Sequence, residues 1–402
     1  MNALVSASAR FAVTDRDQLW TENASLGYGF WARYLEVYDE IRLVARAVPA
    51  AAPPPGWIRA TGPGVRGGPV PDFQSAGRLL ARHRAVRAAV GALLDEVEAV
   101  HLRVPCFVGS FVWRALQDGR PYGVEVVGDP RDMFAAGSVR HPLRRLLQWG
   151  IPRELRLQCA GATGALYVTA AALQARYPCP QFSIGASDVM LPEWLLAQDP
   201  RPRRAPRDPV TVIMVGSLGQ LYKAPDVLID AVGRCVSGGL PLRLVVVGDG
   251  RHRATLEARA EALGLAGRAR FVGALTSLDA VVEQLDRADL FVLPSRQEGL
   301  PRAMVEAMAR GLPCIGSTVG GIPELLAPED LVPPGDAPAL ARKLREVVGD
   351  PERLVRMSMR NLEKAKEYRA AVTRAGRIVF YRHVRRRTEK WQRTRRRRRP
   401  CP

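Results

Sequence analysis

Two glutamates eight residues apart, Glu298 and Glu306, bracket a Gly-Leu-Pro turn in the stretch "EGLPRAMVEAMARG". Pro301 suits a first helical turn, where its missing N–H would be unpaired anyway, and Gly311 suits a helix stop. The spacing predicts a helix of about eleven residues, "PRAMVEAMARG", whose free N–H groups and positive dipole end offer a place for phosphate or sugar hydroxyls. Glu298 lies just outside that end and Glu306 about one and a half turns inside, roughly 8–12 Å apart at 1.5 Å per residue. That is too far to share one proton or one metal ion. It fits an elongated ligand, with vicinal hydroxyls on the inner acid, a sugar hydroxyl on the outer one and negative charge between. The competing role for Glu306 is a buried acid paired with an arginine or capped by backbone.

A second group falls in "VGSLGQLYKAPDVLIDA", which places Gly216 and Ser217 at the end of a strand and Lys223 just before a helix. A lysine there aims its charge at the same rim, although a lone lysine is more often a solvated surface group. "VVVGDGRHR" lacks the third glycine of a dinucleotide fingerprint and reads as a tight strand-to-helix turn. Neither GxSxG nor GxxxxGK[ST] occurs, the five histidines form no ligand cluster and the six cysteines show no CxxC spacing. Free thiols and no bound metal are expected.

In the first half, Asp129 closes "VEVVGD" just ahead of Pro130. A carboxylate there could meet a ligand, and an Asp before Pro is as often a turn residue. "ENASLGYGF" (residues 22–30) reads as a loop after an early strand, with Gly27 and Gly29 permitting close approach of a ligand. Asn23, Gly27 and Tyr28 are therefore ligand-contact candidates, set against a plain loop packed by its aromatics.

These groups need elements to hold them. A chain of 402 residues suggests two domains. After the Pro- and charge-rich segment "AQDPRPRRAPRDP", short apolar runs ending in Gly or Ser alternate with amphipathic helical stretches. That is the pattern of a doubly wound parallel sheet, whose ligands sit beyond the carboxyl ends of the strands. The first half reads as a less legible α/β domain. The expected divisions are a first domain over 1–197, a linker over 198–209, a second domain over 210–370 and a basic helix or tail over 371–402. Within the first domain, residues 48–71 are so rich in Pro and Gly that a flexible loop is expected there.

The formal charge is +19, and from Arg374 onward thirteen Arg or Lys face the single Glu389. Such a tail reads as a solvated, disordered segment, or as a contact for an anionic membrane surface, with nucleic acid the least favoured partner. No run reaches the roughly 18 apolar residues of a membrane span, and Arg10 interrupts any secretory leader, so a cytoplasmic protein is expected, peripheral on the inner membrane face if the tail holds lipid.

The span from about Val210 to Leu326 resembles the nucleotide-binding domain of glycosyltransferase family 4, retaining enzymes of the GT-B fold. Glu298 and Glu306 match its glutamate pair, Pro294 and Ser295 the approach to it, "EAMARGLP" (Glu306 to Pro313) its helix, and Gly320, Gly321 and Glu324 its following "GG..E". Through "TENASLGYGFWARYLEVYDE", "PYGVEVVGDP" and "YVTAAALQARYP" the first half is similar to the amino-terminal domain of such transferases from bacterial polysaccharide biosynthesis. The resemblance implies two Rossmann-like domains facing each other across a cleft. It also implies a nucleoside diphosphate sugar as donor, a glycan or lipid-linked acceptor, and no cofactor. Glu306 would then bind the ribose and Glu298 the donor sugar. The backbone of Gly216, Gly299, Leu300 and Pro301 would line the donor, and Lys223 would balance the diphosphate. Ser217 stands where many members carry an arginine, so Arg296 or a cation of the first domain is expected to substitute. Asp129 stands where many relatives have a histidine near the reacting sugar, which implies that it accepts an acceptor proton or contacts a donor hydroxyl, and Asn23, Gly27 and Tyr28 would lie on the acceptor side of the cleft. The rivals are an epimerase of the same fold, a catalytically weak or inactive scaffold protein, and a nucleic-acid binder.

Overall fold

The computed structural model describes residues 1–15, 17–73, 76–116, 119–133, 144–202 and 209–398. Strands β1 (Ala3–Val13), β2 (Leu19–Thr21), β3 (Ile41–Pro49), β4 (Ile58–Arg59), β5 (Val65–Pro71), β6 (Ala99–Val104), β7 (Gly123–Val126), β8 (Gly164–Tyr167) and β9 (Ser183–Gly185) form the first sheet. Seven run parallel in the order β5-β3-β1-β6-β7-β8-β9, and the short antiparallel pair β2 and β4 extends from the far end of β1. The second sheet is wholly parallel, built from β10 (Val210–Val215), β11 (Leu242–Val247), β12 (Ala269–Gly273), β13 (Leu290–Leu293), β14 (Cys314–Ser317) and β15 (Leu331–Val332). Its order is β12-β11-β10-β13-β14-β15. β10, β13 and β14 are almost wholly buried, as strands covered by helices on both faces must be. The order reverses between β10 and β13, so the loops leaving these neighbours part and open a crevice, the place where such sheets take ligands.

The flexible loop expected over 48–71 is corrected: Val65–Pro71 is a strand that pairs with β3 along its whole length. It tolerates Pro69 and Pro71 because it is an edge strand. The Gly67 N–H, two residues before Pro69, already points away from β3 to the Asp17 carbonyl (2.9 Å), so the prolines occupy positions that owe β3 no hydrogen bond.

Of the two forms expected for the basic segment, helix or tail, the structure has the helix. Ala370–Arg398 is one 29-residue helix rather than a disordered tail, and Phe380, Tyr381 and Val384 are fully buried against the first domain's sheet. Arg377 on this helix meets Asp188 (3.1 Å), which also pairs with Arg33 (3.1 Å) and Arg103 (2.7 Å). Arg103 in turn holds Glu125 (2.9 Å), a buried ionic knot that fixes the helix. Residues 399–402, including Cys401, lie outside the described residues; the other five cysteines are free thiols. Phe380→Ala should lower first-domain stability by about 3–5 kcal/mol, read from denaturant unfolding.

The chain passes between domains twice, and the two crossings are bonded to each other: the Leu191 N–H to the Tyr368 carbonyl and the Ala370 N–H to the Leu191 carbonyl (both 2.9 Å). Part of the expected linker, residues 203–208, lies outside the described residues. Its Arg201 is fastened to the second domain by donating to the carbonyls of Leu285 (2.9 Å) and Arg310 (3.2 Å).

Candidate functional site

The loops after β10 and β13 meet over the crevice. Gly216 ends the first, and a side chain there would collide with the Lys223 stem, 2.2 Å from its Cδ. That bare glycine lets Lys223 lie flat and bring its Nζ to 2.9 Å from Glu298 Oε1. Ser295 Oγ donates to the same carboxylate oxygen (2.8 Å), and Ser317 Oγ fixes Ser295 through its carbonyl (2.6 Å). Burial alone would depress the Lys223 ammonium, but the Glu298 carboxylate outweighs it and holds Lys223 above its ordinary range. Lys223 is thus the half-buried partner of Glu298 rather than a solvated charge.

Arg296 is corrected as a spare cation. Its guanidinium forks onto Asp226 (2.8 and 2.7 Å) and donates to the Leu221 carbonyl (2.9 Å), while its N–H bonds the Tyr222 carbonyl (2.6 Å). It ties the loop bearing Lys223 to the loop bearing Glu298, and so positions both. Ser217 Oγ accepts from the Gly219 N–H (3.1 Å), closing a local turn. Gly248 and Gly250, both at positive φ, let the neighbouring loop close on this one, since a Cβ at Gly248 would lie 1.9 Å from the Gly216 carbonyl oxygen.

The site helix spans Arg302–Ala309, with Pro301 as its N-cap rather than within its first turn, and no side chain caps it. Its first amides are therefore open toward the crevice. Glu306 is 9% exposed, and no hydrogen bond or ion pair to its carboxyl is found among the described residues. Burial pushes that carboxyl up to about 7, with exposed Arg302, one turn earlier, pulling the other way. The paired or capped acid that competed with a binding role is not what the structure contains.

Gly299 and Leu300 face the first domain. A Cβ on Gly299 would sit 2.4 Å from the Val127 carbonyl oxygen, and Leu300 packs against both domains' cores. The Gly320–Gly321 turn backs this loop: Gly321 N–H donates to the Gly299 carbonyl (2.6 Å), and Gly320, at φ 55°, leaves no room for a side chain beside Glu298. Glu324 then crosses to the first domain and accepts from the consecutive amides of Ala170 (2.5 Å), Ala171 (3.0 Å) and Ala172 (2.6 Å). Its sequence signal was its place after the glycine pair, but the partner amides lie about 150 residues away and carry no side-chain signature.

The first domain's candidates are each held within that domain. Asp129 is fully buried, ion-paired with Arg176, and accepts from Tyr177 OH (2.6 Å) and the Arg131 N–H (2.8 Å). With those partners it is an anchor, and the expected proton acceptor is corrected to a structural acid. Asn23 Oδ1 accepts from Ser25 N (3.1 Å) and Ser25 Oγ (2.7 Å), and Tyr28 OH donates to the Pro63 carbonyl (2.8 Å). Gly27 is the N-cap of the short helix Tyr28–Ala32. This loop packs against residues 62–63, the plain alternative named for it.

Two α/β domains, joined by a double crossing and facing each other over loops at a topological switch point, define the GT-B fold. The chain superposes on sucrose-phosphate synthase of Thermosynechococcus elongatus with a TM-score of 0.67 at 16% identity, covering 96% of this chain and 99% of that one. Against HepE of Anabaena, solved with UDP and glucose, the TM-score is 0.62 at 16% identity, covering 94% and 98%. Residues 197–364 match the family described as glycosyl transferases group 1. Protein CapJ of Staphylococcus aureus is 25% identical over 334 residues, 81% of this chain and 82% of that protein. The putative colanic acid biosynthesis glycosyltransferase WcaL of Escherichia coli is 34% identical over 175 residues, 41% of this chain and 42% of WcaL.

Proposed function

We propose that the protein is a retaining glycosyltransferase that moves a sugar from a nucleoside diphosphate sugar to an acceptor hydroxyl, in polysaccharide or glycolipid assembly. The observation that carries this reading is Glu306: a buried carboxyl without a partner, beside an uncapped helix end. An unpaired buried acid costs the fold free energy, and a ligand that supplies vicinal hydroxyls would repay it. The ribose of the donor suits Glu306, its diphosphate suits the helix amides with Arg302 at their edge, and its sugar suits the free oxygen of Glu298. Similar proteins support the same reading: WcaL is named for colanic acid biosynthesis, and HepE was solved with UDP and glucose.

In the proposed reaction the bond from the anomeric carbon to the diphosphate breaks as the acceptor oxygen bonds that carbon on the same face. The departing diphosphate takes the acceptor proton. With Asp129 committed to Arg176 and Tyr177, no carboxylate of that loop is assigned as base. Helix amides and Lys223 would stabilise the leaving charge without a bound metal.

Calorimetric titration with UDP, GDP, ADP and their sugar conjugates tests this. One nucleotide is expected to bind, more tightly at pH 8 than at pH 6, because the ionised Glu306 accepts from hydroxyls and ionisation is completed as pH rises through about 7. Binding by none of them would leave the protein a scaffold of this fold.

A further inference from the structure

The helix Arg144–Gly161 covers one face of the first sheet, burying Leu155, Gln158 and Cys159. Its opposite face is unusual: Leu146, Trp149 and Leu157 are 60%, 62% and 61% exposed, and with exposed Arg153 and Arg156 they recur at helical spacing along one stripe. The Arg153 guanidinium lies 4.1 Å from the centre of the Trp149 ring. Three cationic side chains, Arg131, Arg153 and Arg156, open onto a shallow cavity of about 510 Å³ beside Trp149, with no carboxylate lining it among the described residues. At the far end Leu157 borders a second cavity with Arg114, Arg120 and Arg387. Glu154, the helix's one carboxylate, is paired with Arg114 (2.5 Å).

We propose that this stripe docks the protein on an anionic phospholipid surface. Trp and Leu interleaved with Arg on one solvent-facing stripe suit the headgroup boundary: the apolar groups enter the acyl edge and the guanidiniums take lipid phosphates. A protein partner would need a continuous patch, whereas here the apolar side chains are separated by charge. No described helix is long and apolar enough to cross a membrane, so the contact is peripheral. The geometry also gives it a use. Arg131 lies four residues after Val127, whose carbonyl meets Gly299 at the site, so the lipid surface would abut the rim of the crevice. A lipid-linked acceptor could then reach the donor without leaving the bilayer. This last step rests on the transferase reading, while the docking itself does not.

The test is co-sedimentation of the full chain with vesicles of equal parts phosphatidylglycerol and phosphatidylcholine, beside phosphatidylcholine alone. The wild type should sediment with the mixed vesicles only, and high salt should release it. The triple variant L146S/W149S/L157S should lower the bound fraction roughly tenfold or more. R153E/R156E should do likewise. Wild type that stays in solution overturns the proposal, and so does a triple variant that sediments as well as the wild type, which would move the contact to the basic end of the last helix. Vesicle-independent self-association abolished by the triple variant would instead make the stripe a contact between copies, also overturning it. Lipid-borne quenchers should dim the wild type more than Trp149→Phe, a direct reading that does not depend on the triple variant's folding. Nucleotide titration of the same variants keeps failure of the transferase reading separate from failure of docking.

Discussion

Lys223→Ala is expected to destabilise the second domain by about 3–5 kcal/mol, the cost of leaving one member of a buried ion pair alone. Glu298 would retain only the Ser295 hydroxyl, and the space the lysine stem fills above Gly216 would empty. Lys223→Ala/Glu298→Gln should recover a large part of that loss, since the stranded charge is gone. Denaturant unfolding of the two single variants and the double gives the coupling directly. A solvated lysine serving only a ligand would cost well under 1 kcal/mol when removed and show no coupling.

Glu306 should behave in the opposite sense. Glu306→Ala is expected to weaken nucleotide binding roughly 100-fold, from the loss of two charge-assisted hydrogen bonds at about 1.5 kcal/mol or more each. Glu306→Gln keeps the shape, and it should leave the free protein more stable than wild type above neutral pH. The folded carboxyl is raised to about 7 from an unfolded value of 4.5. The native state therefore holds the proton longer, and the wild type loses stability as pH rises through that window and no further beyond it. The full loss is roughly 3 kcal/mol at about 1.36 kcal/mol per unit. Wild type and Glu306→Gln should match near pH 4 and separate by pH 8. A variant that binds nucleotide as the wild type does would remove the ribose role. A loss of stability at pH 8 would mean the carboxylate has a partner after all.

The second domain was legible because its code is local. Apolar runs ending in Gly or Ser mark strands that are buried on both faces, and the proline and glycine around "EAMARG" mark a helix whose ends are set by those residues. What stayed hidden depends on partners far along the chain. Arg296 was read as a free cation because Asp226, which holds it, lies 70 residues earlier. Asp129 stood at a strand end as a reactive acid would, and only the fold shows Arg176 and Tyr177 closing on it. The edge strand Val65–Pro71 was masked by composition, since proline is excluded only where a strand must give its N–H to a neighbour. In the last helix, Phe380, Tyr381 and Val384 were outnumbered by arginines, so charge concealed a short apolar face that closes a core.

That closing face bears on how the protein is made. Strand β1 is translated well before Phe380, Tyr381 and Val384, yet these three cover the sheet around it on one side. The second domain's core is drawn from residues 189–368 and needs nothing beyond them. During synthesis it can therefore complete its packing while the first domain still waits, with Tyr34, Tyr38 and His101 uncovered, for the helix Ala370–Arg398 to emerge. An exposed apolar face in that interval is the condition under which chains misassemble. A chain halted after the second crossing, before this helix has emerged, would hold a finished domain attached to an unfinished one.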